Sequence, residues 1–352
     1  MSISIDQILS AADEHNASDV FLQEGELPRL KINEQICLYG EEPVTLAHLT
    51  ALWQTCGADP VSDRDRDSGL ISHAGTRFRV NMHRSIGRLG AVMRRIRTKI
   101  PQLETLGAPD HLLTKWVSKP YGIILVTGPT GTGKSTTLAA LLQWLNQSLG
   151  RHVVTIEDPI EYIFHNDQCL FTQREVGRDT DTFGRGLRGA MRQAPDVIFV
   201  GEIRDFDTAL TALQASETGH LVLASLHSEK VSDTMERFLN LFPTDQINLG
   251  LHLLAHQLIG ICCQKLVPRV DGKLMLLCEH IENGGAVRDW IARRDVDKIQ
   301  DYLMRGSDPN AVNFLRSIIR AYENGFIDEA TAIMATGNET EFRRAARGVS
   351  TG

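Results

Sequence analysis

The chain has no CxxC pair, no excess of basic charge and no uninterrupted apolar run of membrane-spanning length. Its six cysteines, at positions 37, 56, 169, 262, 263 and 278, are scattered, so neither a zinc site nor a disulfide framework is expected and reduced thiols fit better. A net charge of −7 argues against a protein built around a broad basic face for nucleic acid, although local basic patches stay open. The start, MSISIDQIL, lacks the basic and apolar stretches of a signal peptide, and the most apolar region, near 249–263, is interrupted by His252, His256 and Gln257. The expectation is a cytoplasmic protein, at most peripheral to a membrane complex. What the chain does have is 42% hydrophobic residues over 352 positions, enough for two or three compact units.

The most informative stretch runs from Tyr121 to Leu145. An apolar run, Ile123 to Val126, ends in Gly128-Pro129-Thr130-Gly131-Thr132-Gly133-Lys134-Ser135-Thr136, which fits G-x-x-x-x-G-K-[ST]. Leu138, Leu141, Leu142, Leu145 and Leu149 then recur with helical period. A strand, a glycine loop and a helix in that order form a phosphate cradle. The glycines turn backbone N–H groups inward, and the helix adds its positive end. Lys134 is expected to reach the β- and γ-phosphates and Ser135 to ligate Mg²⁺.

Ahead of this stretch, residues 1–99 read as a small α+β domain. It has a helix around Ile5–Ala12, strands at Asp19–Leu22 and Arg29–Ile32, and a helix after Pro43; Ser62–Asp67 reads as a solvated loop. The segment 77–99 is rich in arginine, with Arg77 and Arg79 on one strand face and Phe78 and Val80 on the other; Arg84, Arg88, Arg94, Arg95, Arg97 and Lys99 follow. A solvated edge, nucleic-acid binding and delivery of arginines to a phosphate in a neighbouring subunit all fit this pattern. Residues 100–108 read as a linker.

From 109 to 270 the pattern is α/β. Four apolar runs stop at groups suited to phosphate chemistry: the glycine loop, His152–Ile156 before Glu157, Asp196–Val200 before Gly201-Glu202, and Leu221–Leu226 before His227. In parallel sheets ligands bind beyond the carboxyl ends of the strands, so the four should converge. Glu202 suits a Mg²⁺-holding acid, with an exposed loop glutamate as the alternative. Glu157 suits polarising a water or, alternatively, capping its loop. His227 suits a γ-phosphate contact, with a structural histidine as the alternative. Arg185, Arg188 and Arg192 recur at helical spacing, as an interface stripe or a solvated face. Residues 232–262 read as helical, with Cys262 and Cys263 as packing. A hairpin around Asp271-Gly272 and helices over 285–293, 295–304 and 310–323 make a C-terminal region at 271–340, and 341–352 reads as a flexible tail.

The ordered segments GPTGTGKST, TIEDPIEY, PDVIFVGEIRD and TGHLVLASLH resemble the Walker A, Asp box, Walker B and His box of the type II/type IV secretion ATPase superfamily. Over nearly the whole chain the likeness is greatest to its PilT-like pilus retraction branch, through Ala17–Leu22 and the RFRVN strand at 77–81. The resemblance implies a RecA-like P-loop motor domain behind a smaller PAS-like domain, with ATP and Mg²⁺ as cofactors. It further implies a homo-hexamer acting on an inner-membrane platform protein, with a second pilus ATPase as a further partner and no nucleic acid. Carried over by residue, it makes Lys134 and Ser135 the Walker A pair, Glu157 the catalytic glutamate, Glu202 the Walker B acid, His220 and His227 the His-box pair, and Arg79 and Arg94 arginines that reach nucleotide. Two departures stand out. The family's Arg-Gly reads Gly87-Arg88, and its retraction signature AIRNLIRE reads Ala286-Val-Arg-Asp-Trp-Ile-Ala-Arg293, which keeps an accessory, PilU-like role open.

Overall fold

The computed structural model describes residues 4–32, 35–73, 75–96, 99–306 and 308–347; Arg97 and positions 348–352 of the expected tail lie outside them. Two compact units emerge, residues 1–99 with 161–163, and the remainder.

In the first unit the elements are α1 (Ile5–Glu14), β1 (Asp19–Gln23), β2 (Arg29–Ile32), β3 (Gln35–Leu38), α2 (Leu46–Thr55), β4 (Asp65–Ile71), β5 (Arg77–Ser85) and β6 (Arg88–Arg95). The strands form an antiparallel sheet in the order β3-β2-β1-β6-β5-β4. Apolar residues at strand period (Phe78, Val80, Met82) and helical period (Ile8, Leu9; Leu49, Trp53) are fully buried together. Buried Trp53 donates its indole N–H to the Gly90 carbonyl at 3.2 Å. Ile86 and Gly87, both at positive φ, turn β5 into β6 and leave Arg88 at the start of β6. Residues 65–67, expected in a loop, belong to β4. Their side chains are exposed, so no apolar alternation advertises the strand, and pairing with β5 decides it.

The second unit comprises α3 (Asp110–Val117), β7 (Gly122–Thr127), α4 (Lys134–Ser148), β8 (His152–Glu157), β9 (Leu170–Glu175), α5 (Phe183–Ala190), β10 (Val197–Val200), α6 (Phe206–Glu217), β11 (Leu221–Leu226), α7 (Val231–Leu239), α8 (Ile247–Gln257), β12 (Leu258–Pro268), β13 (Leu274–Glu282), α9 (Ala286–Ala292), α10 (Val296–Arg305), β14 (Ala311–Val312), α11 (Phe314–Glu323), α12 (Glu329–Thr336) and α13 (Glu339–Ala346). Its eight strands run in the order β14-β13-β12-β7-β11-β10-β8-β9, parallel from β12 to β9 and antiparallel at the β13 and β14 end. The central strands β7, β10 and β11 are buried at every position, as a sheet covered on both faces requires.

Three expectations need correcting. Leu258–Cys262 is not helical but opens β12, which is held by β7 on one side and β13 on the other. The linker expected at 100–108 contains a 3₁₀ turn, Leu103–Thr105, with Leu103 buried. The last segment is helical as far as Ala346, and α13 is anchored by Phe342, 1% exposed and packed edge-on against Tyr322.

One buried carboxylate ties this unit together. Glu279 on β13 accepts the Val231 N–H at the start of α7 (2.8 Å) and the Phe314 N–H at the start of α11 (3.3 Å). Burial lifts its pKa above the usual range, against the lowering effect of those two N–H groups.

Candidate active site

The parallel register places the carboxyl ends of β7, β11, β10 and β8 side by side: the glycine loop, His227, Gly201-Glu202 and Glu157. The loop owes its shape to its glycines. Gly131 and Gly133 have φ of 83° and 84°, and Gly133 is the N-cap of α4. A Cβ on Gly128 would stand 2.6 Å from the Gln264 carbonyl oxygen of β12 and 2.6 Å from Thr132 Oγ1. Thr132 Oγ1 donates to the Pro129 carbonyl at 2.9 Å, while Thr130 is exposed and Ser135 and Thr136 are half-buried on the first turn of α4.

Lys134, 9% exposed, curls into its own loop. Its Nζ donates to the carbonyls of Gly128 (2.8 Å) and Pro129 (3.0 Å) and lies 3.4 Å from His227 Nδ1. The opposite ring nitrogen of His227, Nε2, stands 3.1 Å from Glu202 Oε1. His227 therefore bridges the loop lysine and the acid at the end of β10. The other oxygen of Glu202 pairs with Arg204 at 2.7 Å. Burial by itself would raise the Glu202 pKa, but the Arg204 hydrogen bond and the neighbouring His227 outweigh it and hold the carboxyl below its usual range. Arg204 lies inside the GEIRD segment, and its only signal in the sequence is an arginine two residues past an acidic strand end.

Glu157, 6% exposed, closes the row. Its Oε1 accepts the Thr155 hydroxyl at 2.7 Å and the Gln173 amide at 3.3 Å. Gln173 belongs to β9, which carries no sequence signal of its own. Gly201 makes the approach of the neighbouring strand end possible: a Cβ there would meet Glu157 Cα and the Ile156 carbonyl at 3.3 Å. Beneath the loop, Thr127 Oγ1 lies 3.0 Å from Thr234 Oγ1 and donates to Cys263 Sγ at 2.9 Å, a buried contact joining β7, α7 and β12. The two adjacent cysteines are indeed packing: both are fully buried, and a hydrogen bond with Cys278 together with burial pushes the Cys262 thiol pKa up, while burial does so for Cys263.

His220 is not brought to this cluster. It precedes β11 at the opposite end of the sheet, with Nδ1 2.9 Å from the Ala215 carbonyl oxygen. The six residues of β11 separate it from His227, seven steps of about 3.3 Å, or about 23 Å. As a contact to nucleotide on its own P-loop, His220 is corrected out of the set. In the first unit, Arg79 and Arg94 sit directly opposite each other on β5 and β6, held to Asp67 at 3.5 Å and Asp19 at 2.8 Å respectively.

The donor set suits a hard cation and a polyphosphate. Ser135 and Glu202 offer oxygen ligands of the kind Mg²⁺ takes, with Glu202 held ionised, and the loop offers inward N–H groups and an ammonium. A buried parallel sheet with this loop, an acidic neighbouring strand end and a histidine between them defines a P-loop ATPase. Within that class the assignment is narrower: residues 1–347 match the type II/IV secretion system protein family, and the chain belongs to it. The chain is 32% identical over 97% of its length to the type IV pilus ATPase PilU of Pseudomonas aeruginosa, covering 91% of that protein. To the retraction ATPase PilT of the same organism it is 35% identical over 86% of its length, covering 90% of PilT. Among solved structures, the pilus retraction motor PilT with bound ADP matches with a TM-score of 0.88 at 33% identity, over 97% of this chain and 100% of that one.

Proposed function

We propose that this chain is a Mg²⁺-dependent ATPase that works as a homo-hexameric ring in type IV pilus retraction, on the cytoplasmic side of an inner-membrane platform protein. The observation that carries the reading is the chain of contacts from Lys134 through His227 to Glu202, at the same sheet edge as Glu157. The loop amides and Lys134 position the phosphates, and His227 senses the γ-phosphate end. Glu157, oriented by Thr155 and Gln173, aligns the attacking water. Mg²⁺ bound by Ser135 and Glu202 would neutralise charge on the phosphate oxygens. Arg79 and Arg94 supply cationic groups to a neighbouring copy's nucleotide, so turnover requires assembly. No helix among the described residues is long and apolar enough to cross a membrane, in keeping with a peripheral position.

Two measurements test this. Glu157→Gln should bind ATP yet turn over at least ~10-fold more slowly, and unchanged turnover removes Glu157 from the mechanism. Rings mixed from Arg94→Ala and Lys134→Ala subunits should regain some activity, and demonstrably mixed rings without rescue count against arginine action across subunits. A second reading, an accessory motor, is favoured by two observations: of the two Pseudomonas aeruginosa sequences, the match to PilU spans more of this chain (97%) than the match to PilT (86%), and the segment ends Ala292-Arg293 in place of Arg-Glu. A deletion strain that is hyperpiliated supports retraction. Purified rings that bind a second pilus ATPase and hydrolyse little alone support the accessory role.

A further inference from the structure

A second concave site lies in the same unit, away from the P-loop. A cavity of about 350 Å³ is bounded by the turn after β9 and by α5 and the residues that follow it, and its walls include Arg174, Arg178, Arg185 and Arg192 with Asp179 and Asp181. On a chain of net charge −7, four arginines against two aspartates leave a local surplus of two positive charges. The cradle is built in advance. Arg174 is fixed by bonds to the carbonyls of Asp179 (2.9 Å) and Gly186 (3.4 Å), and Gly189 leaves room for it, since a Cβ there would stand 2.9 Å from Arg174 Nη1. The turn closes on itself through Gly177 N–H to the Thr180 carbonyl (2.7 Å) and Glu175 N–H to Asp179 Oδ2 (2.9 Å). Arg185 pairs with Asp181. Among the described residues neither Arg178 nor Arg192 has an ion pair or side-chain hydrogen bond, so two guanidinium groups border the cavity with their charge uncompensated.

We propose that this cavity is an anion site for a phosphate-bearing ligand. Its surplus of two charges matches a phosphate dianion or diphosphate better than a single carboxylate, and guanidinium forks suit such oxygens. No aromatic or large aliphatic side chain lines it, so it recognises the anion and not a base or acyl chain. The ligand is not the nucleotide on the same chain's P-loop: β7 and β9 are separated by β11, β10 and β8, a span of about 19 Å at about 4.8 Å per strand. The source is a free phosphate compound or a phospholipid headgroup.

The test uses the full chain with its P-loop saturated by ADP, titrated calorimetrically with sodium pyrophosphate. One further pyrophosphate should bind per chain, weakened at least ~10-fold in Arg178→Ala/Arg192→Ala. ADP affinity, retained in that variant, shows that it is folded. No second binding event, or one indifferent to the variant, overturns the proposal. Flotation with phosphatidylglycerol and phosphatidylcholine vesicles separates the sources. Pyrophosphate-sensitive binding to the anionic vesicles alone, lost in the variant, assigns the headgroup. Pyrophosphate binding without vesicle binding assigns the free ligand, and vesicle binding that survives the variant overturns the headgroup source.

Discussion

Replacing Glu279 by alanine should loosen the second unit at two helix starts at once. The wild-type carboxylate is 7% exposed and accepts one N–H from α7 and one from α11, and neither amide can easily find water once the side chain is gone. A buried amide left unpaired costs about 1–3 kcal/mol. The Val231 bond is short and the Phe314 bond long, and removing a buried charge returns part of the loss, so a net destabilisation of about 2–4 kcal/mol is expected. Glu279→Gln keeps one acceptor oxygen but turns an N–H₂ toward the other amide, and should lose about half as much. Denaturant midpoints give the totals, and hydrogen exchange at Val231 and Phe314 gives the location. Because burial raises the folded pKa of Glu279, its contribution is full below the ordinary glutamate value of 4.5 and is lost as pH rises through the folded value. The stability gap between wild type and Glu279→Gln should therefore narrow as pH rises through that window. A gap that widens, or protection unchanged at both amides, would refute the reasoning.

Three further outcomes are expected. Gly128→Ala should abolish nucleotide binding while leaving the fold intact, since its methyl group collides with the Gln264 carbonyl and forces the loop open; retained ADP affinity would show that the loop tolerates the shift. Arg204→Ala removes the hydrogen bond that does most to lower the Glu202 pKa, so the acid limb of the pH–turnover profile should move to higher pH, and an unmoved limb would dissociate that limb from Glu202. Gly260→Ala places a Cβ 2.3 Å from Trp116 Cζ2 and 2.8 Å from the Ile281 carbonyl, at a cost of about 1–3 kcal/mol. Adding Trp116→Leu should recover part of this in a double-mutant cycle, and strict additivity would place the strain elsewhere.

The P-loop and its neighbours were legible because local pattern and tertiary role coincide there: four buried runs, each ending at a polar group, occur only where parallel strands deliver side chains to one edge. Leu258–Cys262 was not, because neither glycine nor proline marks the junction of α8 and β12 at Gln257–Leu258 and only pairing with β7 and β13 makes these residues a strand. The β9 strand, LFTQRE, is a half-exposed edge with no apolar run, yet it supplies Gln173 to Glu157 and Arg174 to the arginine cavity. Both histidines of the His box read alike in sequence. Only the length of β11 shows that they face opposite ends of the sheet. The α13 helix leaves little trace in the sequence because a single large apolar side chain, Phe342, anchors a mostly polar segment.

Lys134 makes nucleotide binding an exchange rather than an addition. Its ammonium already donates to two loop carbonyls and lies beside His227, so an arriving phosphate competes with these partners for its N–H groups. Net affinity then reports the difference between two sets of ligands for one cation, which moderates how tightly a diphosphate product is held. For an ATPase, which must release its product on every cycle, carbonyl partners for Lys134 inside its own loop favour turnover over retention.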